Sequence, residues 1–487
     1  MNESPRHPGL APAAIRTIEK RLPLLWAWLL AFVALLGLVA ARPLSFRPPR
    51  NPAALEALLA AGPHAGECER CHTAHGGDQI SVYPNALVGP DDNTLCQGCH
   101  DAPWSGGSYA TNNLYLGTSH GSKTSMIWPG PTPPARIEPD AATKCVNCHD
   151  PHGWTDALGA IPSLLLQREE ATCLACHDGS PATINVNTDI RKTYRHPATD
   201  YNGRHTGPKE SLPTDFATTP VNRRHSECAD CHNAHVSRGD GSFAPAGVAA
   251  SKNNLGVSRV AVINGVAGSR PLYLFVPGSD TLTAPNTEYQ LCFKCHSTWT
   301  TQPTGQTDFA TVLNPANPSF HPVEAAGRNA NIRAGSFVIG WTASSITRCG
   351  SCHGSDFGTV DGPHGSSYRY ILKKPYTASA ARRTMTSNEI CFSCHDWNVY
   401  ANNSSSTTVK AYSRFNPGSI SEGHTYHVGN RQVPCYSCHV THGSTSRSFL
   451  LVTGRNPGIN SFTQTTNGGT CAPTCHGSES YTVNYAR

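Results

Sequence analysis

The chain has 487 residues, of which 38% are hydrophobic and only 8% aromatic, while Gly (43) and Pro (38) are abundant. This composition supplies few side chains for a large core, so we expect another apolar material to fill part of the interior. The formal net charge of +5 comes from 38 basic and 33 acidic side chains without a long run of either sign, which argues against nucleic acid as a partner.

The N-terminal region carries a membrane signal. Residues 1–21 are predicted to be a cytoplasmic segment, and residues 22–41 form an uncharged run with basic residues on both sides. A run of this length is typical of a transmembrane anchor, since the core of a cleaved signal sequence is usually about 7 to 15 residues. Cleavage after Ala41 is the alternative. The predicted location is the periplasmic face of the cytoplasmic membrane or, after cleavage, the periplasm or cell surface, with residues 42–63 as a Pro-rich linker.

All twenty cysteines occur in close pairs, and a histidine directly follows each pair. Nine pairs have the spacing Cys-x-x-Cys-His: Cys68/Cys71/His72, Cys96/Cys99/His100, Cys145/Cys148/His149, Cys173/Cys176/His177, Cys228/Cys231/His232, Cys292/Cys295/His296, Cys349/Cys352/His353, Cys391/Cys394/His395 and Cys435/Cys438/His439. The tenth, Cys471/Cys475/His476, has three residues between its cysteines.

This spacing predicts covalent haem attachment. On one helical turn, residues i, i+3 and i+4 share a face, so two thioether-forming cysteines and an iron-binding histidine point at the same porphyrin. Zinc sites and disulfide frameworks also use paired cysteines, but neither explains a histidine after every pair. We therefore expect about ten haem c groups. At the tenth site Pro473 and the extra residue disturb the single turn, so a disulfide or an unused pair is the alternative there, although His476 favours haem.

The ten motifs form five doubled units, which we take as the predicted domains: residues 64–110, 111–190, 191–310, 311–410 and 411–487. The third unit contains an insertion, and the fifth ends in the Cys-x-x-x-Cys-His motif. Loops rich in Gly, Pro, Ser, Thr and Asn are predicted between the motifs, with a short helical turn at each motif. One exception is a predicted β-hairpin in the third unit, from Val257–Ile263 through Asn264-Gly265 to Leu272–Val276.

The segments KCVNCHDPHG with ATCLACHDG, and VPCYSCHVTHG with GTCAPTCHG, resemble the doubled-CXXCH family of multihaem c-type cytochromes. The resemblance covers nearly all of the chain after the membrane segment. It implies a fold of mostly irregular loops with short helices wrapped around covalently bound haems and little regular sheet. It also implies electron transfer through closely stacked bis-histidine haems in periplasmic or extracellular redox chains, and some multihaem relatives polymerise into conducting filaments. The Cys-x-x-x-Cys-His motif and the stretched third and fourth units depart from the family pattern.

The remaining histidines suffice for a second axial ligand at every iron. Four histidines lie three positions after a proximal histidine: His75, His152, His235 and His442. Each should bind a different haem from its neighbour, because the neighbour's haem blocks access to the far face of that iron. A provisional rule gives each unit one upstream and one downstream distal ligand. The resulting sets are His64 with His75, His120 with His152, one of His196, His205 or His225 with His235, His321 with His364, and one of His424 or His427 with His442.

Two further expectations concern individual ligands. His364 is interpreted as a looped-out equivalent of His152, with a surface histidine as the alternative. Outside the N-terminal region only Met126 and Met385 offer thioether sulfur, so methionine ligation is expected to be rare and the reduction potentials low.

The sequence therefore predicts an electron carrier rather than an enzyme, with redox proteins as partners and the membrane as an attachment surface if the N-terminal segment is uncleaved. Reduction of acceptors such as metal oxides at an exposed haem edge is compatible with this function. A multihaem oxidoreductase would need one open iron position, and no attachment motif replaces its histidine with lysine. A filament subunit, which forms a homopolymer, is the other alternative.

Overall fold

In the computed structural model the chain is described mainly from residue 145 onward. The described residues are 64, 68–72, 87, 93–100, 115, 118–122, 128–129, 145–153, 155–157, 159–199, 226–238, 249–278, 287–300, 302, 305–329, 332–358, 360–415 and 422–482. The segment Leu22–Ala41, the linker, Met126 and the side chain of Cys99 lie outside this description. No helix within the described residues is long and apolar enough to cross a membrane.

Short helices and helical turns occur at most of the cysteine pairs. The α-helices are Cys68–Cys71, Asn93–His100, Glu169–Leu174, Val186–Ile190, Cys228–Cys231, Glu288–His296, Phe309–Val312, Cys349–Cys352, Trp397–Tyr400, Thr407–Lys410 and Gly423–Thr425. The 3₁₀ turns are Cys145–Asn147, Pro162–Leu164, Lys252–Asn254, Arg369–Ile371, Ile390–Ser393, Ala411–Ser413, Cys435–Ser437 and Ser448–Leu450, and a π turn spans Tyr426–Asn430.

Local sequence explains where several of these helices begin. The Asn185 side chain accepts a hydrogen bond from the Thr188 amide at 3.0 Å and caps the helix Val186–Ile190. Glu169 and Glu170 occupy the first turn of the helix Glu169–Leu174, where carboxylates stabilise the positive end of the helix dipole. The helices remain short because Gly, Pro and Asn residues interrupt the chain soon after each motif.

The strands are short and antiparallel. They are β1 (Thr155–Asp156), β2 (Gly159–Ala160), β3 (Tyr194–Arg195), β4 (Arg259–Ile263), β5 (Leu272–Val276), β6 (Ser319–Phe320), β7 (Gly365–Ser366), β8 (Gly443–Ser444), β9 (Ile459–Thr465), β10 (Gly468–Pro473) and β11 (Glu479–Thr482). The pairs are β1 with β2, β3 with β7, β4 with β5 and β6 with β8, while β10 lies between β9 and β11.

The β-hairpin expected in the third unit is confirmed. Strands β4 and β5 pair from Arg259 opposite Val276 to Ile263 opposite Leu272. Val260 is fully buried against the helix Glu288–His296, whereas Ile263 and Leu272 are exposed. The hairpin therefore covers the helix that carries the second motif of its unit.

The apolar clusters formed by side chains alone are small. One contains Phe293, Ala310, Leu313 and Val323, and the other contains Met385, Phe392, Ala401 and Val428. Both lie beside attachment motifs. The fold class stays a prediction, and these clusters agree with the expectation that side chains alone do not fill the interior.

Candidate haem-binding sites

The ten attachment motifs are numbered sites 1 to 10 in chain order, and seven of the nine Cys-x-x-Cys-His motifs show the same backbone hydrogen bond. The amide of the histidine donates a hydrogen bond to the carbonyl of the first cysteine, four residues earlier. The distances are 2.8 Å for His72, 2.9 Å for His149, His232 and His353, and 3.0 Å for His177, His395 and His439. This bond closes one helical turn and directs both cysteines and the histidine to one side.

Site 2 is described only in part. Its motif lies in the helix Asn93–His100, and the structure places the side chains of Cys96 and His100. The side chain of Cys99 lies outside the described residues. Its thioether link to the haem stays a prediction from the motif spacing.

Site 10 differs from the expectation of a helical turn at every motif. Cys471 lies in strand β10, opposite Phe462 of β9 and Glu479 of β11, and the register shifts between Ala472 and Pro473. The difference has a physical reason, because Pro473 cannot occupy a helix interior and an extended chain needs a different residue spacing to place two sulfurs on one object.

Nine proximal histidines face a second histidine across a nearly constant gap. The ring-centroid distances are 5.9 Å for His64–His100 and His149–His235, 6.0 Å for His72–His152, His120–His177, His196–His296 and His232–His364, 6.2 Å for His353–His442 and His424–His439, and 6.4 Å for His427–His476.

This gap fits an iron atom between two axial ligands. Two metal–nitrogen bonds of about 2 Å, plus about 1 Å from each ring nitrogen to its ring centre, give a centroid separation of about 6 Å. Two imidazoles in mutual van der Waals contact would lie closer together. The donor set and its spacing therefore fit bis-histidine iron at nine sites.

Site 8 is paired by different observations. His321 lies close enough to His395 to lower its pKa, after the larger effect of burial. The backbone around His321 also repeats the one around His196, which faces site 6. His196 and His321 are both followed by proline, and the amide two residues later bonds back to the histidine carbonyl at 2.9 and 2.8 Å. This equivalence makes His321 the candidate second ligand of site 8.

The facing histidine pairs follow a rule that differs from the expected one upstream and one downstream ligand per unit. The first site of units 1 to 4 faces a histidine of the next unit, namely His152, His235, His364 or His442. The second site faces a histidine upstream in its own unit, His64, His120, His196 or His321. In unit 5 one of His424 or His427 was expected to be a ligand, whereas in the structure both face sites of their own unit. His75, His205 and His225 lie outside the described residues, and Met385 packs in an apolar cluster.

The π turn explains how two histidines three residues apart reach different sites. His424 faces His439 of site 9, and His427 faces His476 of site 10. The turn Tyr426–Asn430 begins between them, and the His427 ring donates to the Gly423 carbonyl at 2.8 Å. Such turns are frequently found at functional sites.

A continuous cavity of about 3240 Å³ connects these elements, and residues of sites 2 to 10 line it. An ordinary ligand pocket measures roughly 300–1,000 Å³. The volume and its extent along nine consecutive sites indicate space for a row of large prosthetic groups.

The first cysteines of neighbouring sites meet at the junctions between units. Contact with the partner thiol is the largest cause of a raised pKa for Cys145, Cys173, Cys292 and Cys435, and the partners are Cys96, Cys228, Cys349 and Cys391, respectively. At the third junction the Sγ atoms of Cys292 and Cys349 and a Glu288 carboxylate oxygen all lie within 4.8 Å of one another. Sites 2 and 3, 4 and 5, 6 and 7, and 8 and 9 are therefore direct neighbours.

The two sites within each of units 2 to 5 are also adjacent. Cys148 interacts electrostatically with Cys173, Cys231 with Cys292, Cys352 with Cys394, and Cys438 with both Cys471 and Cys475. Together with the junction contacts, these interactions place sites 2 to 10 in a row that follows the sequence.

A carboxylate fixes two of the junctions in the same way. Glu169, four residues before Cys173, accepts a hydrogen bond from the Ala229 amide at 2.6 Å. Glu288, four residues before Cys292, accepts one from the Gly350 amide at 2.5 Å. Each bond joins the helix of one unit to the first motif of the next. Hydrogen bonds between protein groups therefore hold the two units together at the junction.

Aromatic rings connect the axial ligands across two junctions. Phe309 lies 6.1 Å from His296 of site 6 and 4.6 Å from His442, which faces site 7. Tyr400 lies 5.3 Å from His395 of site 8 and 5.2 Å from His424, which faces site 9. The motif spacing did not predict these contacts, because neither aromatic residue belongs to an attachment motif.

Proximal histidines at the first site of a unit donate Nδ1–H to a backbone carbonyl. His149 bonds Ser163 at 2.9 Å, His353 bonds Tyr370 at 2.7 Å, and His439 bonds Phe449 at 3.0 Å. These three acceptors and the residues that follow them have φ between 53° and 64°. Left-handed backbone costs non-glycine residues about 1–2 kcal/mol each. These turns therefore hold the imidazole in orientation, as the outer partners of metal-bound histidines commonly do.

Burial holds the facing histidines in their neutral, ligand-competent form. Burial first, and neighbouring histidines second, lower the pKa of His364, His395, His424 and His442 to about 3 and that of His235 and His296 to about 4. The free imidazole has a pKa of about 6.5.

Acid should therefore destabilise the protein. Between pH 6.5 and about 4 the unfolded chain binds protons that the folded chain does not, so the free energy of unfolding falls as the pH falls through this window and is level above about pH 7. Protons also compete with iron for the same nitrogens, and this competition also lowers the free energy of unfolding in acid. Denaturant midpoints measured from pH 8 to pH 4 test this. A midpoint that is constant or rises on acidification contradicts it.

Three stretches of the chain, residues 62–103, 138–182 and 343–399, match the family model of the doubled CXXCH motif. They contain sites 1 to 4, 7 and 8. Neither the curated proteins nor the solved structures gave a significant match. The motifs and the paired histidines are typical of multihaem c-type cytochromes. The chain carries the doubled CXXCH motif of that family, which confirms the resemblance stated from the sequence.

Proposed function

We propose that this protein conducts electrons along ten covalently bound, bis-histidine haems arranged in chain order. The observation that carries the proposal is the set of facing histidines at 5.9–6.4 Å. The protein supplies two thioether links and two imidazoles at each site, and the haem iron supplies the electron-accepting centre.

The order of the sites supports conduction. Neighbouring attachment sulfurs in contact bring the edges of neighbouring prosthetic groups together, and tunnelling rates fall exponentially with the distance between edges. Because each site from 2 to 10 adjoins the next, electrons can move between the two ends in short steps. Outer-sphere transfer to a redox protein or a metal oxide needs no open iron position.

Counting the haems and their spin states tests the proposal. Pyridine haemochrome and mass spectrometry of the holoprotein should give ten haems, and EPR of the oxidised protein should show low-spin iron alone. The variant Cys471→Ala/Cys475→Ala should lose one haem and keep nine. Eight or fewer haems in the wild type contradicts the proposal, and a stoichiometric high-spin signal favours an oxidoreductase with an open site.

The proposed location is outside the cytoplasm, on the periplasmic face of the membrane or beyond it. The support is the apolar segment Leu22–Ala41 and the chemistry of haem c attachment, which takes place outside the cytoplasm. N-terminal sequencing of the mature protein and membrane fractionation distinguish an anchored from a released form. Recovery of the holoprotein from the cytoplasm would contradict the location.

A further inference from the structure

The two histidines that face one unit's sites are joined to each other by the backbone. In unit 4, strand β6 pairs with β8, with Ser319 opposite Ser444 and Phe320 opposite Gly443. The His321 amide donates to the His442 carbonyl at 2.7 Å, and its Nδ1 bonds the Thr441 carbonyl. We call this element, Ser319–His321 with Thr441–Ser444, the unit 4 clasp.

Unit 3 repeats the element in the same register. Strand β3 pairs with β7, with Tyr194 opposite Ser366 and Arg195 opposite Gly365. The His196 amide donates to the His364 carbonyl at 3.2 Å, and the His196 ring bonds the Pro363 carbonyl. The unit 3 clasp is Tyr194–His196 with Pro363–Ser366.

Units 1 and 2 keep the ring contact that defines the clasp. His64 bonds the carbonyl of Pro151, the residue before His152, at 3.1 Å, and His120 bonds the carbonyl of Ala234, the residue before His235, at 3.1 Å. The same ring contact therefore occurs in four units.

Each clasp serves both sites of one unit. In unit 4, His442 faces His353 of site 7, while His321 is the candidate second ligand, beside His395, for the iron of site 8. The ring bond also orients His321 through the chain segment that carries His442. A displacement of that segment therefore moves both ligands.

In the unit 3 and unit 4 clasps a glycine follows the downstream histidine, and the packing there leaves no room for a Cβ atom. A methyl group at Gly443 would overlap the backbone carbonyl of Val312, and one at Gly365 would overlap the backbone carbonyl of Asp189. Val312 ends the helix Phe309–Val312, and Asp189 lies in the helix Val186–Ile190. Since a backbone cannot rotate away as a side chain can, the strand itself would have to move.

We propose that the two distal ligands of a unit act as one element, so that displacing the clasp glycine detaches both and opens two neighbouring irons to an external ligand. Gly365 and Gly443 are thus positioning residues that touch neither iron. The inference rests on the proposed bis-histidine ligation and adds that ligation is gained or lost in pairs.

Carbon monoxide binding to the reduced holoprotein tests the proposal, because CO binds ferrous haem only where a ligand position is open. The wild type should bind none. Gly443→Ala should bind two CO per protein, at sites 7 and 8, and show two high-spin irons when oxidised. His442→Ala and His321→Ala should each bind one, because each removes one ring and leaves the backbone pairing intact.

Two further variants complete the experiment. Gly365→Ala should reproduce the result at sites 5 and 6, and it replaces Gly443→Ala if that variant does not accumulate. Val266→Ala, at an exposed side chain outside the cavity, is the surface control and should bind no CO. A glycine variant that retains ten haems and binds one CO or none overturns the clasp. CO binding by the wild type would instead overturn the proposed ligation.

Discussion

Removing the haem at site 6 should divide the conduit. In the variant Cys292→Ala/Cys295→Ala, the row of neighbouring sites loses the member that touches both site 5 and site 7. Because tunnelling decays exponentially with distance, transfer across the gap should slow by orders of magnitude. With the protein tethered to an electrode through its C-terminus, fast coulometry should count ten electrons for the wild type and four, from sites 7 to 10, for the variant.

The variant Cys68→Ala/Cys71→Ala provides the matched control. It also removes two sulfurs and one haem, but at site 1, which leaves the row of sites 2 to 10 intact, so nine electrons should still exchange quickly. If the site 6 variant also exchanges eight or nine electrons in the fast phase, the sites do not form a single row in chain order.

Production of the chain without haem attachment should leave it unfolded. The two apolar clusters contain four buried residues each, and the cavity beside them measures about 3240 Å³. Burial of apolar area is the main favourable term in folding, and in this protein the porphyrins must provide much of that area. Far-UV circular dichroism of the apoprotein should lack a cooperative thermal transition, and proteases should degrade it rapidly.

The holoprotein with a single haem missing at site 1 is the control for this comparison, and it should retain a cooperative transition. An apoprotein that unfolds cooperatively and resists proteolysis would show that side chains alone specify the fold. The acid sensitivity described above concerns the same interior, because the histidines that become protonated on unfolding line the cavity.

The local part of each site could be predicted from the sequence, because a Cys-x-x-Cys-His motif contains its own geometry. The bond from His353 to the Cys349 carbonyl needs no residue outside the motif. Site 10 shows the limit of this reasoning, since pairing with β9 and β11 places Cys471 in a strand.

The facing histidines could be counted but not paired, because their partners lie in different units. His442 faces site 7 across 89 positions of sequence, and only the strand pair β6–β8 brings it there. One feature of the sequence does indicate a pairing. His196 and His321 are both followed by proline, which distinguishes His196 from the other upstream candidates of unit 3.

The carbonyls that orient the imidazoles could not be predicted, since a backbone acceptor has no residue type. Ser163, Tyr370 and Phe449 occupy equivalent turns with unrelated side chains. The same holds for the clasp glycines, whose requirement comes from a helix packed against them rather than from the turn they occupy.

The iron positions in the holoprotein test the central claim most directly. Anomalous scattering at the iron absorption edge, measured on crystals of the oxidised holoprotein, should give ten peaks in sequence order. Each peak should lie midway between one proximal histidine and the partner assigned here, from His72 with His152 to His476 with His427. An iron that lies outside its histidine pair, or a row that departs from sequence order, would contradict the account.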